Sequence, residues 1–468
     1  MYQPTLNDIV SLAKRRGFIF PGSEIYGGLA NTYDYGPLGV ELMRNIKNAW
    51  WNFFVASRHD MFGLDTSILM SPRVWEASGH TENFADVLLD CKSCQLRTRA
   101  DHLIEDYFEA IQKSQKVEGL DLSELQKILD SEKIPCPQCK EFNWTDLRKF
   151  NQLFETEIGI ITGKKNTAYL RGEIAQGMFV NFKQVLDSMR PKLPFGLAQS
   201  GAAFRNEITL GNFTFRTLQF NLAEFEYFFD PEKQPWEQLF EYWQNLIWTW
   251  ATEILGLYPE NLRWRPHTPE ELSHYSTRTE DIDFKFPFGF KEMHACAYRT
   301  DFDLRNHMEK SGQDLRYTDP ENPERKFIPH VMEPTFGMDR AVLAVLCNGY
   351  EEQEINGKKR TVLKIKPKLA PYKAAVFPLL ANKQDLRDKA DEIFLMLLKK
   401  FSVTTDARGN IGKRYFSQDE IGTPYCITID FDTLNDQSVT VRDRDTMEQE
   451  RVPIHKLVDL IDTKISAS

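Results

Sequence analysis

Between Ala168 and Asp230 the chain is rich in β-branched and aromatic residues broken by short turns, and this stretch constrains the architecture more than any other. Such a pattern predicts an antiparallel sheet. Further strands are expected across Phe284 to Ala297, and Trp236, Phe240, Trp243, Ile247 and Trp250 recur at helical spacing between the two strand regions. An apolar helix is expected from Gly337 to Leu346. Upstream, Asp34-Tyr35-Gly36-Pro37 reads as a turn into a helix whose Leu42, Met43, Ile46, Trp50, Phe53 and Phe54 share an apolar face, followed by a short strand, roughly Met61 to Met70, that ends at Pro72.

At 468 residues the chain exceeds what one compact core serves, so two or three domains are expected. Lys364-Ile365-Lys366-Pro367-Lys368 reads as a linker. Beyond it, Asn382 can cap a helix carrying Leu386, Ala390, Ile393, Phe394 and Leu397 on one face. Ile427, Ile429 and Phe431 alternate along a strand, and a hairpin turning at Leu434-Asn435-Asp436-Gln437 returns through Val439 and Val441. The fold class expected is α+β: a sheet-based domain over residues 1–365, interrupted by a polar helical insertion over about 84–157, and a compact α/β domain over residues 366–468.

The chain is 41% hydrophobic and 27% charged, with no apolar run of membrane-spanning length. Its N-terminus carries no export or import signal, so a cytoplasmic location is expected, with no membrane partner. Seven cysteines, an odd number, argue against a disulfide framework. Four of them, Cys91-x2-Cys94 and Cys136-x2-Cys139, have the spacing of a structural tetrathiolate zinc site; four buried free thiols are the alternative. A net charge of −10 implies that any nucleic acid would be held by shape and a few local cations.

Two segments carry candidate chemistry. Phe204-Arg205-Asn206-Glu207 and the returning Phe213-Thr214-Phe215-Arg216, then Phe220, would set arginines, a carboxylate and aromatic faces on a hairpin able to hold a nucleotide. In Glu333-Pro334-Thr335-Phe336-Gly337-Met338-Asp339-Arg340, Gly337 opens a helix and Arg340 lies in its first turn, where anionic phosphate is favoured.

In these segments the chain resembles the class II aminoacyl-tRNA synthetases. The helix, strand and Pro72 match the first class motif, Phe204–Glu207 with its return strand the second, and Glu333–Arg340 the third. Long stretches are similar to the homodimeric glycyl family, among them ILMSPRVWEASGH, LPFGLAQSGAAFRNEIT, YRTDFDL and GTPYCITIDFDTLNDQSVTVRDRDTMEQ. The resemblance implies a class II antiparallel catalytic core with a C-terminal anticodon-binding domain, ATP-dependent activation of glycine with Mg²⁺, and transfer to tRNA(Gly) by a homodimer. It implies that Arg205 holds the α-phosphate, Glu207 the adenine edge, Phe220 the purine face and Arg340 the γ-phosphate. Asn206, Phe215, Arg216, Met293, Gly337 and Asp339 would complete the ATP site, with Glu292 a candidate for Mg²⁺. Glu173, Glu224 and Glu333 would surround the glycine ammonium, with Arg99 and Thr335 nearby. Arg408, Lys413, Arg414, Tyr415, Arg442 and Arg444 would supply cations and a stacking ring to RNA.

The chain departs from the family pattern at Gly172 in Arg171-Gly172-Glu173, at Leu218-Gln219 before Phe220, at Thr335 and at His294. These bear on amino-acid choice and rate. Two alternatives stay open: activation of another small amino acid, or a non-catalytic, synthetase-like subunit that binds nucleic acid.

Overall fold

The computed structural model describes all residues except 1–3, 114, 116, 118–119, 160–165, 208–210, 270, 356 and 468. Parts of the insertion helix and of the nucleotide hairpin expected from the sequence lie outside the described residues.

A seven-stranded sheet forms the centre of the larger unit. Its strands are β1 (Met61–Gly63), β2 (Phe195–Phe204), β3 (Gln219–Phe229), β4 (Leu262–Pro266), β5 (Arg278–Phe286), β6 (Gly289–Thr300) and β7 (His330–Gly337). They lie in the order β4-β5-β6-β7-β3-β2-β1, antiparallel throughout except for the β1–β2 pair. One face is covered by α1 (Pro37–Trp51), α3 (Trp236–Thr249) and α4 (Met338–Gly349), whose buried side chains share a core with Phe225, Phe336 and Ile282. The other face receives α2 (Ala175–Met189) through Phe179, Phe182 and Val185.

Four expectations about elements are corrected. The aromatic-rich stretch from Ala168 is not continuous sheet, because Met178, Phe179, Phe182 and Val185 lie on the buried face of α2. The strand expected across Met61 to Met70 is two: β1 joins the large sheet, while Leu69–Met70 pairs with Asn166–Leu170 in a separate sheet. Pro72 opens the short helix Pro72–Ala77, at the first helical position, where a missing N–H costs nothing. Phe213–Phe215 forms a 3-10 turn, since Asn212 and Phe213 adopt positive φ and lift the chain off the sheet; the return strand starts at Gln219.

The insertion has a three-stranded sheet of its own (Arg97–Arg99, Ala85–Asp90, Arg148–Asn151) packed with helices Ala100–Ala110 and Leu122–Glu132. It is therefore more than helical.

The terminal unit is a five-stranded mixed sheet with its own core. Its first strand, Ala374–Pro378, is parallel to Val403–Thr405 and to Tyr425–Ile429, and the hairpin Ser438–Asp443 with Gln449–Pro453 completes the sheet. Asn382 does not cap the helix Gln384–Leu398: the cap position is Lys383, with no side-chain bond. Nor does Phe431 continue a strand, because Asp430 and Thr433 make a reciprocal capping box that starts the helix Phe431–Asp436.

Candidate active site

β2 and β3 diverge past their paired ends, and there the loop joining them places Arg205, Glu207, Phe215 and Arg216 around a cavity of about 160 Å³. Phe220, Leu222 and Glu224 line it from β3, Thr335 and Gly337 from β7, Glu292 from β6, and Asp339 and Arg340 from the first turn of α4. The two arginines singled out in the sequence thus open into one cavity. A larger groove of about 650 Å³ on the insertion, between Leu122–Asp130 and Phe142–Leu147, has no arginine or lysine in its lining.

Both guanidinium groups are held in place. Arg205 Nε donates to the Gly172 carbonyl at 3.0 Å, and the group lies over the rings of Phe84 and Phe220 at 5.0 and 5.3 Å. Arg340 donates to the Phe215 and Glu292 carbonyls and pairs with the Glu292 carboxylate at 3.0 Å, while its guanidinium covers the Phe215 ring at 4.3 Å. Burial would raise the Glu292 carboxyl, but Arg340 outweighs it and holds the group below its ordinary value. Across the strands Asp283 stands opposite Glu292, but its carboxylate is taken up by arginines: Oδ2 pairs with Arg263 at 2.9 Å and Oδ1, which makes no hydrogen bond, lies 3.8 Å from Arg265 Nε. Glu292, whose carboxylate lines the cavity, is the candidate oxygen ligand for a hard divalent cation.

Asp339 is used differently from expectation. Tyr35 Oη and the Asn221 amide both donate to its carboxylate, so it ties α4 to β3 and to the strand Tyr33–Tyr35, and Lys47 donates to Asn221 Oδ1 at 2.7 Å. Met293 likewise sends its side chain into the core. Arg216 lies 4.0 Å from Glu207, and Phe215 packs edge-on against Phe286 and Phe288. Asn206 is set by its amide, which donates to the Gln152 carbonyl.

Deeper in the sheet, Glu173, Glu224 and Glu333 are brought together and buried. Sequence reasoning missed the cation that makes this tolerable. Arg299 Nη1 donates to both oxygens of Glu333 at 2.8 and 2.9 Å, its Nε and Nη2 bind Asp303, and Glu173 is 4.0 Å away. Glu224 accepts from the Ile174 amide, and burial with the charges of Glu333 and Glu173 pushes its carboxyl well up. Burial, against Arg299 and with Glu173, raises Glu333 to about 7. Glu173 goes the other way: burial opposes ionisation, but His80 and Arg299 hold it low. Glu226, two residues along β3, is fully buried with neither oxygen partnered. The one clue to Arg299 was its i, i+4 spacing from Asp303 within YRTDFDL.

Arg99 is not part of this cluster. It stands on the insertion sheet, paired with Asp86 at 2.9 Å and with Asp101, and Glu207 is among the charges acting on it. His294 is a core residue: Trp250 Nε1 donates to its Nε2, and burial lowers it to about 3, so it is neutral.

In the insertion, the Sγ atoms of Cys91, Cys94, Cys136 and Cys139 all lie within 4.8 Å of one another. Backbone amides of Cys94 and Ser93 draw the Cys91 thiol down to about 7 against the effect of burial. Four converging sulfurs with amide donors are a donor set suited to zinc.

The comparisons decide the family. A relative from Caldanaerobacter subterraneus subsp. tengcongensis, described as glycine–tRNA ligase, is 50% identical over 462 residues, 98% of each chain. The chain belongs to the glycine–tRNA ligase family. Ligases of the same description from Bacillus thuringiensis subsp. konkukian and Staphylococcus aureus are 51% and 52% identical over 98% and 97% of this chain and 99% and 97% of their own. Within the ligase, residues 112–152 match the family description "Glycyl-tRNA synthetase insertion domain 1" and residues 373–464 match "Anticodon binding domain". A crystal structure of prolyl-tRNA synthetase from Cryptosporidium parvum, complexed with halofuginone and AMPPNP, aligns with TM-score 0.62 at 13% identity, over 98% of this chain and 75% of that one. That likeness carries the fold: a class II synthetase catalytic domain with a C-terminal mixed α/β anticodon-binding domain.

The terminal domain corrects the RNA-contact expectation. Arg414 donates to the Pro378, Ala407, Arg408 and Gly409 carbonyls, Arg442 pairs with the fully buried Asp419, and Arg444 donates to the Gly422 carbonyl. Tyr415 bonds Thr428. These groups are consumed internally. Arg408 and Lys413 remain exposed.

Proposed function

We propose that the cavity between Arg205 and Arg340 binds ATP and activates glycine as its adenylate, which is then transferred to the 3′ end of tRNA(Gly). The observation that carries this reading is the opening of both arginines, Glu224 and Thr335 into one cavity. The glycine carboxylate is the nucleophile: one of its oxygens bonds to the α-phosphorus, and the bond to the bridging oxygen of pyrophosphate breaks. No side-chain base is required. Arg205 neutralises the α-phosphate, Arg340 the γ-phosphate, Phe220 stacks on the purine and Glu207 accepts from the adenine amino group. Mg²⁺ held by Glu292 would offset charge on the triphosphate. Glu173, Glu224 and Glu333 take the ammonium, in a space small enough to exclude a Cβ, so no editing site is needed.

Zinc at the four cysteines would hold the insertion's two knuckles together, a structural role with no open position. Of the terminal-domain arginines and lysines expected to meet RNA, Arg408 and Lys413 are the exposed ones, and we assign the contact to them. We also propose a homodimer, on revised grounds. The apolar face of α1 is spent inside its own chain, where Trp50 packs on Phe54, Phe225 and Phe336. Support comes instead from Ile25 and Tyr26, 89% and 87% exposed, in the 3-10 turn Glu24–Tyr26 before the strand Tyr33–Tyr35. Sedimentation tests this: a fully active monomer would exclude it. Among the described residues no helix is long and apolar enough to cross a membrane, and we place the enzyme in the cytoplasm.

The test of the activity is ATP–pyrophosphate exchange with glycine, alanine and serine in parallel. Exchange with glycine alone is expected. No exchange by the wild type would favour the non-catalytic alternative, and exchange with alanine or serine the other.

A further inference from the structure

Ala77-Ser78-Gly79-His80 takes no part in the chemistry above, yet it builds a buried polar arrangement beside the glycine cluster. Gly79 sits at φ +80°, a left-handed turn that glycine adopts without steric cost, and this turn lets Ser78 and His80 face each other two residues apart. Ser78 Oγ lies 2.8 Å from His80 Nδ1, and His80 Nε2 lies 3.2 Å from Glu173 Oε2. Ser78, His80 and Glu173 are all buried. The ring is also fixed by aromatic neighbours, with Trp75 edge-on at 5.3 Å and Phe84 at 5.3 Å.

The proton positions follow from this geometry. An ionised carboxylate only accepts, so a ring nitrogen 3.2 Å from it must carry a proton; Nε2 is therefore the donor. If the Ser78 hydroxyl donates to Nδ1, the ring is locked in the neutral Nε2–H form; if it donates instead to the Trp75 carbonyl, 3.3 Å away, Nδ1–H donates to it. Both arrangements present Nε2–H to Glu173. The other oxygen of Glu173 accepts from Gln176 Nε2 at 2.9 Å, and Gln176 is itself held by Asp303 and His307. A carboxylate fixed at both oxygens cannot rotate away from its target.

We propose that His80, oriented by Ser78, is a positioning residue for amino-acid recognition: it keeps the Glu173 carboxylate aimed at the glycine ammonium. The proposal rests on the reading of Glu173 as part of the glycine site. His80 touches neither substrate nor ATP in this scheme, so its effect appears in the KM for glycine.

The experiment measures KM for glycine and for ATP, and kcat, in pyrophosphate exchange by the full-length wild type and by E173Q, H80L, H80Q, S78A and the H80L/E173Q pair. Loss of a hydrogen bond to a charged group predicts that H80L raises the KM for glycine by about 10-fold or more, with the KM for ATP and kcat within about 2-fold. H80Q, whose amide can still donate, should recover to within about 3-fold of wild type. In the E173Q background H80L should add less than about 2-fold, because the two act through one bond. An E173Q effect on glycine with no H80L effect would overturn the proposal and leave the glycine site standing. Failure of E173Q itself to change the KM for glycine would overturn both. If H80L does not fold, S78A decides: a rise of about 3-fold in the KM for glycine is expected, and a wild-type value overturns the proposal.

Discussion

Arg340 is fixed by two carbonyls and a carboxylate before any nucleotide arrives, which is the preorganisation that electrostatic catalysis needs. Arg340→Ala should lower kcat/KM for ATP by about 10²–10³-fold in exchange assays, with little change in melting temperature. Glu333 gives a pH signature. Its carboxyl is raised to about 7, so it gains a proton as pH falls through that value and its attraction for an ammonium is lost; the KM for glycine should therefore rise on acidification from pH 8 to 6. Arg205, Arg340, Glu224 and Thr335, which line one cavity, were expected together through the resemblance to the class motifs, since their segments are far apart in the chain. Arg299 was not, because only the sheet register sets it beside Glu333, on the next strand. The same limit produced the opposite error at Arg442 and Arg444: the run Arg442–Asp445 shows nothing of Asp419 and the Gly422 carbonyl, distant partners that bury the two arginines and leave Asp445 exposed. At Gly172 an added Cβ would meet Leu153 at 2.9 Å and Phe84 at 3.3 Å, so that departure from the family pattern is a packing adjustment next to Arg205.

Elements were legible where one period dominated. The amphipathic α1, α3 and α4 show regular apolar spacing, and α4 begins at Gly337 as its sequence indicates. α2 failed because Phe179 and Phe182 belong equally to a strand composition, and only its buried i, i+3 face separates the two. Truncating Trp50 on α1, which is fully buried among aromatic rings, should cost about 3–5 kcal/mol in chemical denaturation. Asp419, at the end of the helix Ile411–Asp419, accepts from Arg360 and from Arg442, and is itself fully buried. Asp419→Ala leaves two buried guanidinium groups facing one another; a loss of about 3–5 kcal/mol is expected, read by thermal or urea unfolding of the full chain.

For the whole molecule, two cores in succession were readable from composition, but Lys364–Lys368 is no free linker, since Ile365 packs in the larger core together with Ile421 of the terminal unit. The mutual packing of the cores was not readable, because it depends on side chains far apart in sequence. The insertion also behaves as a unit of its own, with its own core. Replacing Cys91 and Cys136 by serine, or removing zinc with a zinc-selective chelator in excess Mg²⁺, should therefore open the insertion to proteolysis while the catalytic sheet stays resistant and glycine-dependent exchange stays within about 3-fold; loss of exchange as well would tie the cysteines to the activating cavity instead.

The Arg360–Asp419–Arg442 contact joins the hairpin Tyr350–Leu363 to the terminal domain, and a second fastening lies beside it. Arg16, at the end of the helix Leu6–Arg16, donates to the Ser417 carbonyl and hydroxyl, and Arg15 pairs with Glu420. Two fastenings from different parts of the catalytic unit hold the distal lobe against it. The span between the reading end and the activating end is then a fixed gauge, and an RNA whose two arms are too short or too long must bend itself to satisfy both.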